Sequence, residues 1–214
     1  MKLEITKACA DSLRAFTQNN YCIPLKSSHA HELVAAYFGY ASRASLIADR
    51  QCPIDKLMDA EIIILNPSPP LVNQRLKSLG NLSVELPPSD VLAEGVYAPI
   101  VADEQFSGKI WPGLHEAAMA LVEERAKEFK MFGKNIGEMN WISNVNIKTT
   151  ESHALMTVIF DYPANTTNAL RYSKVDIMLP RIAGGIGYSK LEARPTFYYG
   201  HMTDPDFRLK HGID

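Results

Sequence analysis

Residues 26–50 read KSSHAHELVAAYFGYASRASLIADR, and the reading of this stretch decides the architecture of the N-terminal half. Leu33, Val34, Tyr37 and Phe38 fall at helical spacing and make one apolar stripe over residues 28–38. Ser27 or Ser28 is placed to cap that helix. Glu32 falls at N3 if His29 is the cap and at N4 if Ser28 is, an approximate capping box. Gly39 supplies the left-handed residue that ends it, and Ser42 can cap a short further helix carrying Leu46 and Ile47. A DNA-reading helix-turn-helix would use Ala35 and Gly39 in this way. Its apolar anchor, however, is Leu46, seven past the glycine where six is expected. Arg43 is the one cation on the exposed face of the second helix, with Arg50 at its far end, whereas base readout needs several donors and surrounding phosphate contacts. The stretch therefore reads first as a packing hairpin and second as a DNA reader.

The chain has 214 residues, 46% hydrophobic and 21% charged, enough for one large domain or two small ones with packed cores. The net charge of -2 is spread evenly: residues 1–100 hold nine Lys and Arg against ten Asp and Glu, and residues 101–214 hold thirteen against fourteen. Neither half is a basic nucleic-acid domain by bulk charge. The three cysteines, Cys9, Cys22 and Cys52, form no CxxC pair and read as small buried hydrophobes of a reduced, cytoplasmic protein. Glu4 and Asp11 interrupt the N-terminus as a signal peptide. No run approaches the ~20 apolar residues of a membrane span.

Outward from the hairpin, residues 4–18 have helical spacing, with Asn19 and Asn20 ending that helix and Pro24 blocking its continuation. EIIILN (61–66) is a short strand or a buried connector, and LVNQRLKSLGN (71–81) a short helix stopped by Gly80. Residues 81–110, rich in Pro and Gly, are the least periodic and read as an irregular linker. A long helix is expected over 112–132, with Pro112 in its first turn and Gly133 stopping it. Leu114, Ala118, Leu121, Val122, Phe129 and Phe132 form its apolar face.

The periodicity then switches from helical to alternating. WISNVNIKT sets Trp141, Val145 and Ile147 against Asn144, Asn146 and Lys148. HALMTVIFDY is apolar nearly throughout, as a central strand is, and YSKVDIMLP alternates again. AGGIGYS is a turn, and YSKLEARPTFYYG a fourth strand. Short connections imply antiparallel neighbours. The expected fold is therefore α+β: a helical region over 1–80 containing the hairpin, an irregular linker over 81–110, and over 111–214 a long helix packed on a four-stranded antiparallel β-meander.

The segment SHAHELVAAYFGYASRASL resembles a small helical module of bacterial proteins grouped as glyoxalase-related. Their pattern is Ser-His, then Glu-Leu-apolar-Ala, then Gly-Tyr with a Leu six after the Tyr. Ser28, His29, Glu32, Leu33, Ala35, Gly39, Tyr40 and Leu46 match, and Arg43 stands where the family often has Trp. The resemblance covers about 20 of the 214 residues and none of 100–214. It implies a bacterial, cytoplasmic setting, in some relatives on plasmids and integrative elements, and it assigns no catalytic residue.

Among candidate sites, His29 and His31 face different ways on a helix and make poor joint metal ligands. His153 and Glu192 fall on expected strands, which leaves a glyoxalase-type metal pair open without any spacing that demands it. AGGIGYS and GKNIGE lack the context of a phosphate cradle, and no GxSxG elbow is present. No cofactor, metal or catalytic residue is assigned. The polar strand face is the candidate binding surface: Lys148, Lys174, Lys190 and Arg194, bordered by Tyr188, with Asn144, Asn146 and Asp176 among them. Cations with aromatics suit single-stranded nucleic acid or a peptide, while the plainer reading is the solvated face of a half-buried sheet. The expected function is a non-enzymatic bacterial binding or adaptor protein, its partner a protein first and nucleic acid second, with no membrane. The alternative is a small-molecule enzyme with a site between sheet and helices.

Overall fold

The computed structural model describes residues 5–65, 68–79, 86–103, 106, 108–124, 130–131, 134–135, 142–162, 171–189 and 192–198. The chain divides into two compact units, Met1–Leu114 with Pro180–Lys190, and His115–Leu179 with Leu191–Asp214. The fold is mixed α+β, with helices concentrated in the N-terminal half. Among the described residues no helix is long and apolar enough to cross a membrane.

The first unit opens with α1 (Ile5–Tyr21), α2 (Ser27–Tyr37) and α3 (Arg43–Ala48). Helix α1 runs through Asn19 and Asn20, the residues expected to end it. Cys22 takes the left-handed conformation instead, at φ 57°, and its N–H reaches the Gln18 carbonyl. Neither Ser27 nor Ser28 caps α2, which starts after an extended Lys26 without a side-chain cap. The hairpin is otherwise as the spacing implies. Gly39 sits at φ 85°, with its N–H on Ala36 O and the Tyr40 N–H on Ala35 O, the paired bonds of a Schellman turn. Ser42 caps α3 through a reciprocal bond with Ser45. Leu33, Phe38 and Leu46 are buried.

A 3-10 helix (Ile54–Asp59) leads to β1 (Ile62–Ile64), all three isoleucines of which are buried. Then come α4 (Pro69–Ser78), α5 (Ser89–Val101) and β2 (Lys109–Trp111). Strands β1 and β2 are parallel, Ile63 opposite Ile110, a pairing that the helices lying between them in the chain make possible as a crossover. Helix α5 falls inside the segment expected to be an irregular linker. Its residues are apolar nearly all round, with Leu92, Val96, Tyr97 and Ile100 buried, so no one-sided stripe announced it. It packs with α1 and α2. Tyr97 meets the Tyr37 ring edge-on at 5.6 Å and donates to Tyr37 O at 3.2 Å, while the Tyr37 hydroxyl donates to Ser89 O.

The second unit contains α6 (Leu114–Glu124) from His115 onward, β3 (Lys130–Met131), β4 (Lys134–Asn135), β5 (Ile142–Thr149), β6 (His153–Tyr162), β7 (Arg171–Ala183) as far as Leu179, and β9 (Glu192–Tyr198). The long helix expected over 112–132 is corrected at both ends. It starts after Pro112, and Lys130–Met131 already pair as a strand with Lys134–Asn135. Ala117, Ala118, Leu121 and Val122 bury its apolar face. Phe129, Phe132 and Gly133 lie outside the residues whose side chains or backbone are described.

The expected four-stranded antiparallel meander is corrected too, because the sheet is mixed. β5 pairs antiparallel with β6, β7 neighbours β6, and β9 pairs antiparallel with β7. The last expected strand, over 188–200, is two strands. β8 (Gly187–Tyr188) folds back on β7 through the Gly184–Gly185 turn and also pairs with β1 in the first unit, whereas β9 runs along residues 172–178 of β7. β7 is long enough to serve both, and Pro195 suits β9 as an edge strand.

Substitutions at two positions test the hairpin. Phe38→Ala removes a fully buried ring and should destabilise by ~3–5 kcal/mol. Gly39→Val should cost at least about 1–2 kcal/mol, and Gly39→Asn less, because only small or polar residues tolerate that φ. Thermal melts check both; equal stability of the Val and Asn variants would contradict the left-handed cap.

Candidate functional site

The densest polar cluster of the first unit joins residues 132 apart. Arg181, near the end of β7, sets its guanidinium over the Tyr40 ring at 5.3 Å. One terminal nitrogen donates to the Tyr40 hydroxyl at 2.8 Å and to Asp49 Oδ2 at 2.9 Å, and Nε donates to Gly184 O. The Tyr40 hydroxyl donates to Asp49 Oδ2 at 2.6 Å. The other oxygen of Asp49 accepts the N–H groups of Gln51 and Cys52, each at 2.9 Å. Cys52 closes the ring, its thiol donating to Arg181 O at 3.4 Å and its carbonyl accepting Gly184 N–H at 2.9 Å.

The side chains of Tyr40, Asp49 and Arg181 bond to one another and to the backbone around them, so the arrangement works as a clasp. Burial raises the Asp49 pKa, but the N–H of Cys52, the Tyr40 hydroxyl, the N–H of Gln51 and the Arg181 charge outweigh it. They hold the carboxyl below its usual range. Burial and the Asp49 bond push the Tyr40 phenol up, and burial pushes the Cys52 thiol up. Burial likewise raises the Cys9 thiol to about 12. Neither thiol is poised as a thiolate at neutral pH. No spacing motif could have announced this cluster, since its members meet only when β7 returns to the N-terminal unit.

The candidate face of the second unit is assembled by register. Asn146 lies opposite Thr157, whose hydroxyl donates to Asp176 Oδ1 at 2.7 Å, and Asp176 lies opposite Arg194. Period-two alternation puts the positions of Asn144, Lys148, Lys174, Glu192 and Thr196 on that same face. Val145 and Ile147 share the other face with the buried Ala154, Met156, Val158, Val175, Ile177 and Leu179.

Lys148 and Asn144 are exposed, while Leu155, Thr157 and Asp176 are half-buried. Ile147 is 37% exposed, on a strand that among the described residues pairs on one side only. Tyr188 belongs to the first unit. It sits in β8, 2% exposed, donating to Gly185 O at 2.9 Å, and burial raises its phenol to about 12. Lys190 lies outside the described residues. His153 and Glu192 are not on adjacent strands, since β6 and β9 each flank β7, and the His153 ring nitrogen is engaged by Thr150 and Ser152 in the exposed turn. Among the described residues no group of His, Cys, Asp and Glu is placed to hold a metal ion.

The clasp makes stability depend on acid. A carboxyl whose pKa is lower folded than unfolded stabilises the fold above the unfolded value, about 3.9. That contribution is lost as pH falls through the folded value. Asp49→Asn should be less stable than the parent by about 1.5–3 kcal/mol near neutrality, and the gap should close as melts are taken from about pH 5 to about pH 2. A gap unchanged over that range would show that the carboxylate is not held as an ion.

Comparison of the chain with protein-family models, with curated proteins and with solved structures finds no match.

Proposed function

We propose that the protein is a non-enzymatic binding or adaptor protein of the bacterial cytoplasm, and that it recruits a protein partner through the polar face of its second unit. The observation that carries this reading is the register of that face. The positions of Lys148, Lys174 and Arg194 share it with Asp176 and Glu192, and asparagines, threonines and the apolar Leu155, Ile159 and Met178 stand between them. A phosphate backbone asks for uninterrupted positive potential. Interleaved charges of both signs with amides and hydroxyls suit a protein surface, where complementary charge sets partner and orientation. Nucleic acid is the second partner class.

The hairpin supports the same reading, because Leu33, Phe38 and Leu46 are spent on packing and α3 is six residues long. The bacterial setting and the association with mobile elements rest on the resemblance of residues 28–46 to the helical module, which this proposal retains.

Paired captures from a bacterial extract test the proposal, with the parent chain and a Lys174→Glu, Arg194→Glu variant as baits. The expected result is a nuclease-resistant protein partner held by the parent and lost by a folded variant. Titration with short oligonucleotides at low salt decides the second class. Saturable binding there, weakened by the double charge reversal, with a salt slope smaller by about two, would make nucleic acid the partner.

A further inference from the structure

Strand β5 is the last strand of its sheet: β6 lies along one side, and among the described residues nothing pairs with the other. The hydrogen-bond alternation identifies which backbone groups face outward. Thr150 N–H donates to His153 O at 2.9 Å, so that pair is hydrogen-bonded. Counting back along the register, Lys148–Leu155, Asn146–Thr157 and Asn144–Ile159 are hydrogen-bonded, and the pairs between them are not. The N–H and C=O groups of Val145, Ile147 and Thr149 therefore point away from β6. Ile147, the middle one, is also a large apolar side chain left 37% exposed beside the buried Met156 and Val158 of the neighbouring strand.

We propose that β5 pairs antiparallel with β5 of a second copy of this chain, about a two-fold axis at Ile147. The strand complements itself in that register. The ladder shifts between Ile142 and Asn144, so the regular outward edge is Val145, Ile147 and Thr149, and its midpoint is Ile147. Each Val145 then faces Thr149 of the second copy, and all three outward residues exchange both backbone bonds. Asn146 faces Lys148 of the second copy, and Asn144 faces Thr150. Lys148 is the sole charge between Asn144 and Thr150, so no like charges meet. A lysine on an edge strand commonly prevents such pairing, but here it stands across from an amide. The two Ile147 side chains meet on the axis and cover each other, continuing the apolar face from one copy to the next.

This inference does not depend on the proposed protein partner, since charge reversal at Lys174 and Arg194 leaves the outward edge of β5 intact. Sedimentation velocity of the full chain over about 1–100 µM tests it, a range typical of modest self-association. The parent is expected to dimerise. Ile147→Lys and Ile147→Glu, which set like charges on the axis, should each be monomeric. Their equimolar mixture should restore the dimer, at least ~10-fold tighter than either alone. Amide hydrogen exchange on the parent needs no variant. Val145, Ile147 and Thr149 should gain protection as concentration rises, while Asn146 and Lys148 stay protected throughout. A parent that is monomeric over the whole range overturns the proposal, as does a dimer that persists in the Lys variant or one whose outward amides exchange at the same rate at every concentration.

Discussion

The main-chain carbonyl of Phe38 is the constraint on which the first unit turns. It lies just past the last turn of α2, where helix carbonyls have no intrahelical partner. The Gly185 N–H reaches it at 2.6 Å from a turn nearly 150 residues later in the chain. A Cβ on Gly185 would stand 2.5 Å from that oxygen, so only glycine allows the approach. Beside it the side chains of Arg181, Tyr40 and Asp49 interlock, and Cys52 bonds to β7 at Arg181 O through its thiol and to the same turn through its carbonyl. Backbone and side-chain contacts thus hold β8 against the hairpin, and β8 in turn completes the pairing of β1.

This has a consequence for where chemistry and recognition reside. The Arg181–Asp49 pair of the first unit is turned inward, its side chains only 15% and 16% exposed. Such a cluster specifies one arrangement of two distant segments, and its charges are engaged with each other. Among the described residues, by contrast, the backbone of β5 is held by regular pairing on one side alone. A sheet whose inner strands are buried and whose last strand is not concentrates available hydrogen-bonding groups at that border.

Ion pairs elsewhere follow the same division between tying segments and meeting solvent. Glu32 accepts the Arg43 N–H at 3.2 Å, at the start of α3, and lies 3.6 Å from the Arg75 guanidinium of α4. One carboxylate on α2 therefore addresses the helices that flank it.

Local rules were sufficient for what is local. The hairpin, its glycine and the Ser42 cap follow from spacing within a few residues, and so do β5, β6 and the buried alternation Val175, Ile177 and Leu179. Three element assignments were not legible, each for a physical reason. Helix α5 is buried on most sides and shows no stripe. The expected helix over 112–132 gives way to strand pairing at Lys130, because an apolar run satisfies either period until a partner strand selects one. The fourth strand divides between two neighbours, a choice made by the length of β7 and by the reach of its turn to Phe38. The Arg181 cluster and the parallel pairing of β1 with β2 belong to the same class. The sequence by itself determined which segments are helix or strand wherever one face meets a core. Which strands became neighbours, and which charges were taken out of use, only the tertiary structure decided, since those contacts join residues that no periodicity relates.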